Sequence, residues 1–243
     1  QNYDVDAIHF DDYFYADGIN DTATYNAYNP SGLALADWRR AQVDTFIQTL
    51  SGKIRTFNAN NNKCVQLGVS PTGIYRNGGS YSVAMNGSYD ANGTYSSIGS
   101  NTSGQEHYAS YLYSNTKKWV DNEWLDYITP QSYWAFTHPT AAYADVMDWW
   151  AKVVAQKDVN LYSGIGIYMA DSSSETYSWK IHYYEAAMQV RYLTKWSQIK
   201  GSCIYSYKYL LAAKNGGTTY ASYNANNLRT LWNYQSLTPS VRT

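Results

Sequence analysis

The chain is poor in charge, in cysteine, in histidine and in long apolar runs. Charged residues make up only 15% of its 243 residues, and the formal net charge is −1. A nucleic-acid binder carries a basic stripe, so nucleic acid is excluded as a partner. No apolar run approaches the roughly 20 residues that a membrane helix needs, so no membrane span is expected. The start, QNYDVDAIHF, lacks a basic stretch followed by an apolar one and does not read as a signal peptide. A secreted protein after processing looks the same. The two cysteines, Cys64 and Cys203, form neither a disulfide framework nor a zinc spacing. Both sit in apolar strand-like runs and are expected as buried free thiols. The four histidines are scattered without ligand spacing. No metal and no cofactor is expected. Asp17, Asn20 and Asp21 carry calcium-type oxygens but read first as a turn. No nucleophile elbow supports a Ser-His-acid triad.

What is there instead is aromatic and neutral polar. The sequence holds 27 Tyr and 9 Trp, and 44% of it is apolar, enough for a core. Asn, Ser, Thr and Gly fill the loops. Sugars offer hydroxyls and apolar C–H faces, and such side chains suit both. The same composition also occurs in secreted proteins with no such ligand.

Five short apolar runs recur, each followed by a polar loop and a helical pattern: Val5–Phe10, Cys64–Val69, Leu125–Pro130, Leu161–Tyr168 and Ser202–Tyr207. Asp37 can cap a helix whose buried face uses Trp38, Val43, Phe46, Ile47 and Leu50. Tyr108, Leu112, Trp119 and Val120 mark a second helix. Val146, Trp149, Trp150, Val153 and Val154 mark a third. Ala187, Val190, Arg191, Leu193 and Trp196 belong to a fourth, and Leu228, Leu231 and Trp232 to a short last one. Strands alternating with helices predict an α/β fold with a parallel sheet. No Gly-rich phosphate loop follows any strand, and every strand ends in polar or aromatic residues. Both points favour a closed barrel over an open sheet. The loop from Asn77 to Gln105 carries Asn-Gly at 86–87 and 92–93, a turn signal. It predicts a hairpin-bearing excursion above the barrel mouth.

At this point a family becomes visible. VDAIHFDDYFY (Val5–Tyr15), DWRR (Asp37–Arg40), LGVSPTGIYRN (Leu67–Asn77), TKKWV (Thr116–Val120), LDYITPQSYW (Leu125–Trp134), GIGIY (Gly164–Tyr168) and YSYK (Tyr205–Lys208) follow one another along nearly the whole chain. The set resembles the glycosyl-hydrolase-like family 10 domains of bacteria. The resemblance implies a TIM-type (β/α)8 barrel and hydrolysis of glycosidic bonds, with some members linked to peptidoglycan glycan strands. It also implies an extracellular or cell-wall-associated setting. In the family, VDAIHFDDYFY is the fourth barrel strand. Three preceding strands have no counterpart here, so the chain, 1–243, is expected to be one domain: five of eight strand–helix units, the C-terminal portion of the barrel. Such an arc exposes two sheet edges, which predicts association, as a homodimer through those edges. A non-catalytic carbohydrate-binding module and an inactive fragment of a longer enzyme are the other readings.

The chemistry is sought at the strand ends. Residues two apart in a strand face the same way, so His9 and Asp11 point together. Asp11 is the first choice for catalysis, against the reading of an acid that holds a turn or an Arg. Asp12 follows it, with a structural role, bonding loop amides or an Arg, set ahead of catalysis. His9 is a substrate contact or a hydrogen-bonded core histidine. Gln131, Tyr133, Trp134, Tyr168 and Lys208 end later strands and are candidate sugar contacts. Arg76 follows the second strand and is a candidate partner for an acid or a charged sugar group. Glycoside hydrolysis generally uses two carboxyl groups. Asp171 and Glu175 are candidates for the second, although Ser172–Glu175 fits a capping box. Glu123 and Asp126 lie at the wrong end of their strand.

Overall fold

A computed structural model describes residues 3–15, 18–109, 112–174 and 178–232. Its elements run β1 (Ala7–Phe10), α1 (Thr22–Ala27), α2 (Leu35–Asn61), β2 (Gln66–Val69), α3 (Tyr81–Met85), α4 (Thr116–Asp121), β3 (Tyr127–Ile128), α5 (Tyr143–Val154) and β4 (Asn160–Gly166). A 3-10 turn at Ile167–Asp171, α6 (Ser178–Ile181), α7 (Glu185–Leu193), β5 (Ile199–Tyr205), α8 (Tyr207–Lys214) and α9 (Tyr220–Arg229) follow. The strands form one parallel sheet in chain order, β1-β2-β3-β4-β5. The fold is α/β, an arc of a TIM-type barrel. β1 and β5 are its outer strands.

Strand parity separates two surfaces. Leu67, Val69, Ile128, Leu161 and Ile165 face the helices and are buried with Val43, Ile47, Trp119, Val146 and Trp150 in one core. The opposite parity (His9; Gly68 and Ser70; Tyr127, Thr129 and Gln131; Tyr162 and Gly164; Cys203 and Tyr205) faces the concave side. The register lines up His9, Gly68 and Tyr127 across three strands. At Gly68 a Cβ would come within 2.0 Å of the Tyr127 ring, so only glycine lets that ring lie on the strand.

Several expectations are corrected. Asp37 does not cap α2: Ala34 does, and Asp37 sits in the first turn, paired with Arg40 at 2.6 Å. Phe46, expected inside, is 47% exposed. Tyr108 and Leu112 lie in the loop before α4. Both cysteines are free and exposed, not buried. Cys203 has concave-side parity on β5, the outer strand of the sheet among the described residues. The excursion between β2 and α4 is also placed differently. Asn92-Gly93 does turn a hairpin, bridged by Tyr89 and Tyr95, while Asn86 ends α3. The hairpin packs along α5 rather than over the mouth. The Tyr89 hydroxyl donates to the Lys152 carbonyl at 2.9 Å, and Lys157 Nζ donates to the Asn92 carbonyl at 2.6 Å. Trp149 Nε1 donates to Ser97 Oγ at 3.1 Å. Covered on both sides, α5 buries Trp149 and Trp150 completely.

His107 makes part of this core pH-sensitive. It is 1% exposed, with Thr116 Oγ1 at 2.7 Å from Nε2 and Thr72 Oγ1 at 3.3 Å from Nδ1. Burial pushes its pKa down to about 3. In the unfolded chain it returns to about 6.5. Between those values the unfolded state binds the extra proton, so stability rises with pH and is lost as pH falls. The slope reaches about 1.4 kcal/mol per pH unit. Urea unfolding is expected to show a loss of about 1 kcal/mol between about pH 6 and about pH 5, absent in His107→Asn. Equal slopes in the two proteins would remove His107 as the cause.

Candidate active site

The concave side holds a cleft of about 790 Å³ at the C-terminal strand ends. Barrel enzymes place their chemistry there because loops from every strand converge on that face. Asp11 is at its mouth. Gln131 Nε2 donates to Asp11 Oδ1 at 2.8 Å, the Asp12 backbone N–H does so at 3.0 Å, and Ser70 Oγ at 3.4 Å. Three donors from β1, β2 and β3 termini thus converge on one carboxylate oxygen. The same Gln131 amide donates to the Ser70 carbonyl at 2.8 Å, which fixes its own orientation.

His9 stands two residues below, as strand parity requires. Its Nδ1 meets the Tyr127 hydroxyl at 3.0 Å, and its Nε2 meets Ser70 Oγ at 2.9 Å. Desolvation lowers its pKa, against the pull of the Asp11 charge. His9 therefore bridges the strands and links to Asp11 through Ser70. Asp12 is 7% exposed, yet it lines the same cleft. Burial raises its pKa, and the Asp11 carboxylate beside it raises it further. An acid whose pKa is raised by burial thus stands next to one whose oxygen is held by three donors.

Tyrosines build the wall. Tyr133 stacks on Tyr205 with ring centres 6.0 Å apart, and Tyr168 meets both edge-on at 5.8 and 5.9 Å. Gly166 permits this: a Cβ there would come within 2.6 Å of the Tyr133 ring.

The structure therefore brings together His9, Asp11, Asp12, Gln131, Tyr133 and Tyr168 in one cleft. Trp134 lies beyond its rim, in a neighbouring hollow. Two candidates lie elsewhere. Arg76 is 4.7 Å over the Tyr108 ring and lines neither space. Lys208 belongs to α8, because the chain turns into a helix right after β5. Its Nζ is 4.8 Å from the Tyr209 ring, outside the cleft. Asp171 accepts from the Ala221 N–H at 2.9 Å and so holds the first turn of α9. Glu175 and Asp17 lie outside the described residues. Asp21 is held by Arg39 at 2.6 Å and by the Tyr15 hydroxyl. Among the described residues, no group of three or more His, Cys, Asp or Glu side chains is placed to hold a metal ion. Ser70, Tyr127, Tyr162 and Tyr205 were missed as cleft residues. Strand parity extended back from Gln131 finds Tyr127, and back from Tyr168 finds Tyr162, while Ser70 stands just past the end of β2 and Tyr205 at the end of β5.

Residues 1–181 match the family described as Glycosyl hydrolase-like 10. The chain belongs to that family. Two curated relatives bear out the membership. Glycosyl hydrolase DigH of Escherichia coli K12 is 36% identical over 177 residues, which cover 71% of this chain and 36% of that protein. Glycosyl hydrolase YngK of Bacillus subtilis 168 is 31% identical over 179 residues, covering 71% of this chain and 31% of that protein. The chain thus spans about a third of the length of these relatives. As a Glycosyl hydrolase-like 10 chain it has glycosidase-type relatives, and Asp11, Asp12, Gln131, Tyr133 and Tyr168 lie within the matched residues, while Tyr205 lies beyond them.

Proposed function

We propose that this chain carries the C-terminal portion of a glycoside hydrolase that cuts bacterial glycans outside the cell, with peptidoglycan glycan strands as the first substrate to test. One observation carries the reading: a carboxylate, Asp11, held by three donors at the mouth of a tyrosine-lined cleft. In this mechanism Asp11 attacks or stabilises the oxocarbenium-like centre, and Asp12 is the proton-holding partner. Glycoside hydrolysis generally uses two carboxyl groups in different roles, and burial raises the pKa of Asp12 toward that of an acid. Sugar rings lie against Tyr133, Tyr168 and Tyr205, whose faces supply apolar contact. The open edges of β1 and β5 fit closure by a homodimer, which light scattering distinguishes from a monomer.

The test is to incubate the whole protein with purified peptidoglycan glycan strands and to measure new reducing ends. Release of soluble oligosaccharides is expected. Strands that bind but stay intact would favour a non-catalytic carbohydrate-binding role instead.

A further inference from the structure

We propose that a second sugar-binding position lies over the rim of the cleft, so that the substrate is a glycan chain that crosses Tyr133 and Tyr168. The proposal rests on the hydrolase reading above. A hollow of about 260 Å³ adjoins the cleft, and the two share Gln131, Tyr133 and Tyr168. One ligand can therefore touch both spaces across that shared wall. Beyond it, Trp134, Met169 and Leu112 give the hollow an apolar side, while Thr72, Gln105 and Glu106 give it polar groups. An apolar surface with a few placed polar atoms is what a sugar ring requires.

The parts are seated before any ligand arrives. A Cβ at Gly73 would come within 2.7 Å of the Trp134 ring, so the indole rests on bare backbone. Gln189 Nε2 holds the Trp134 carbonyl at 3.0 Å. Glu106 Oε1 accepts from the Asn77 backbone N–H at 2.8 Å and from Asn77 Nδ2 at 2.9 Å. Such ordering lowers the cost of binding. The hollow also begins one side chain from the chemistry. Gln131 lies in the shared wall and donates directly to Asp11 at 2.8 Å. A sugar in the hollow is then a neighbour, along the same chain, of the sugar at Asp11. The hollow is about a third of the cleft in volume, which suits one added ring at the end of a longer occupant.

The experiment uses the whole protein and soluble oligosaccharides of increasing length prepared from peptidoglycan glycan strands. kcat/KM is expected to rise with length. Trp134→Ala should lower the ratio of kcat/KM for the longest over the shortest substrate by about tenfold, the factor that ~1.4 kcal/mol of binding gives. Met169→Trp fills the hollow without removing a core ring, and should lower the same ratio. An unchanged ratio in both folded variants, or equal losses at every length, would overturn the second position. If no length is cut at all, the hydrolase reading fails separately. Calorimetric affinity across the same series then decides: affinity that grows with length and loses that growth in Met169→Trp sustains the position, and affinity independent of length removes it.

Discussion

Asp11→Asn is expected to lower turnover on glycan strands by about a hundredfold or more while the protein stays folded. The asparagine carbonyl can keep all three donors, from Gln131, Ser70 and the Asp12 N–H, because each bonds the same oxygen, Oδ1. What changes is the other atom, from a carboxylate oxygen to an NH2 group. Charge and nucleophilicity disappear, and with them the ability to attack or stabilise an oxocarbenium-like centre. Removing one well-placed electrostatic group in an active site costs a factor on the order of 10²–10³. Asp171→Asn is the control. Its carboxylate holds the start of α9 and lies outside the cleft, so turnover should stay within about twofold. Thermal melts of both variants report folding. Near-normal turnover in folded Asp11→Asn would move the chemistry to another part of the protein.

How far this site was legible depends on whether local pattern or distant contact placed each residue. Strand parity is local, and it put His9 and Asp11 on one face, and Gln131 and Tyr133 on one face. The apolar runs located all five strands. Their ends were harder. Tyr207 and Lys208 follow β5 in sequence, but YKYLLAAK is also a run of good helix formers, and it folds as α8. Lys208 is carried off with it. Arg76 stands close to a strand end in sequence, yet the chain there folds against the returning loop, where the Ser100 N–H donates to its carbonyl at 3.1 Å. Phe46 fits the helical period of α2 and is still half exposed, since periodicity names a face without saying whether anything covers it. The packing of the excursion on α5 depends on contacts tens of residues apart, such as Tyr81 of α3 with Asp148, and no local signal encodes those.

That same aspartate leads to the largest expected loss of stability, about 3–5 kcal/mol for Asp148→Ala, from the part-buried donors that lose their acceptor. Asp148 sits on α5, 1% exposed, with four side chains donating to its two oxygens. Tyr81 reaches Oδ2 at 2.8 Å from α3, and Lys195 Nζ reaches it at 2.7 Å. Trp196 Nε1 bonds Oδ1 at 2.5 Å, and the Tyr192 hydroxyl lies 2.9 Å from both oxygens. The charge is tolerated inside because every lone-pair direction has a donor. Alanine leaves the Trp196 indole N–H and the Tyr192 hydroxyl without this acceptor in a part-buried setting, and each lost partner adds a desolvation penalty. Tyr81 and Lys195, each over 40% exposed, reach water. A chain of this size should then melt roughly 6–20 °C lower. Asp148→Asn keeps an acceptor and should lose less. Tyr81→Phe removes only the tie to α3, at a cost of about 1 kcal/mol. That tie fastens the excursion whose returning end supplies Gln105 and Glu106 to the hollow beside the cleft. Tyr81→Phe should accordingly leave the melt nearly in place and raise KM for long glycans more than for short ones. Urea titrations give the stabilities, and a loss below about 1 kcal/mol in Asp148→Ala would show that solvent already satisfies these donors.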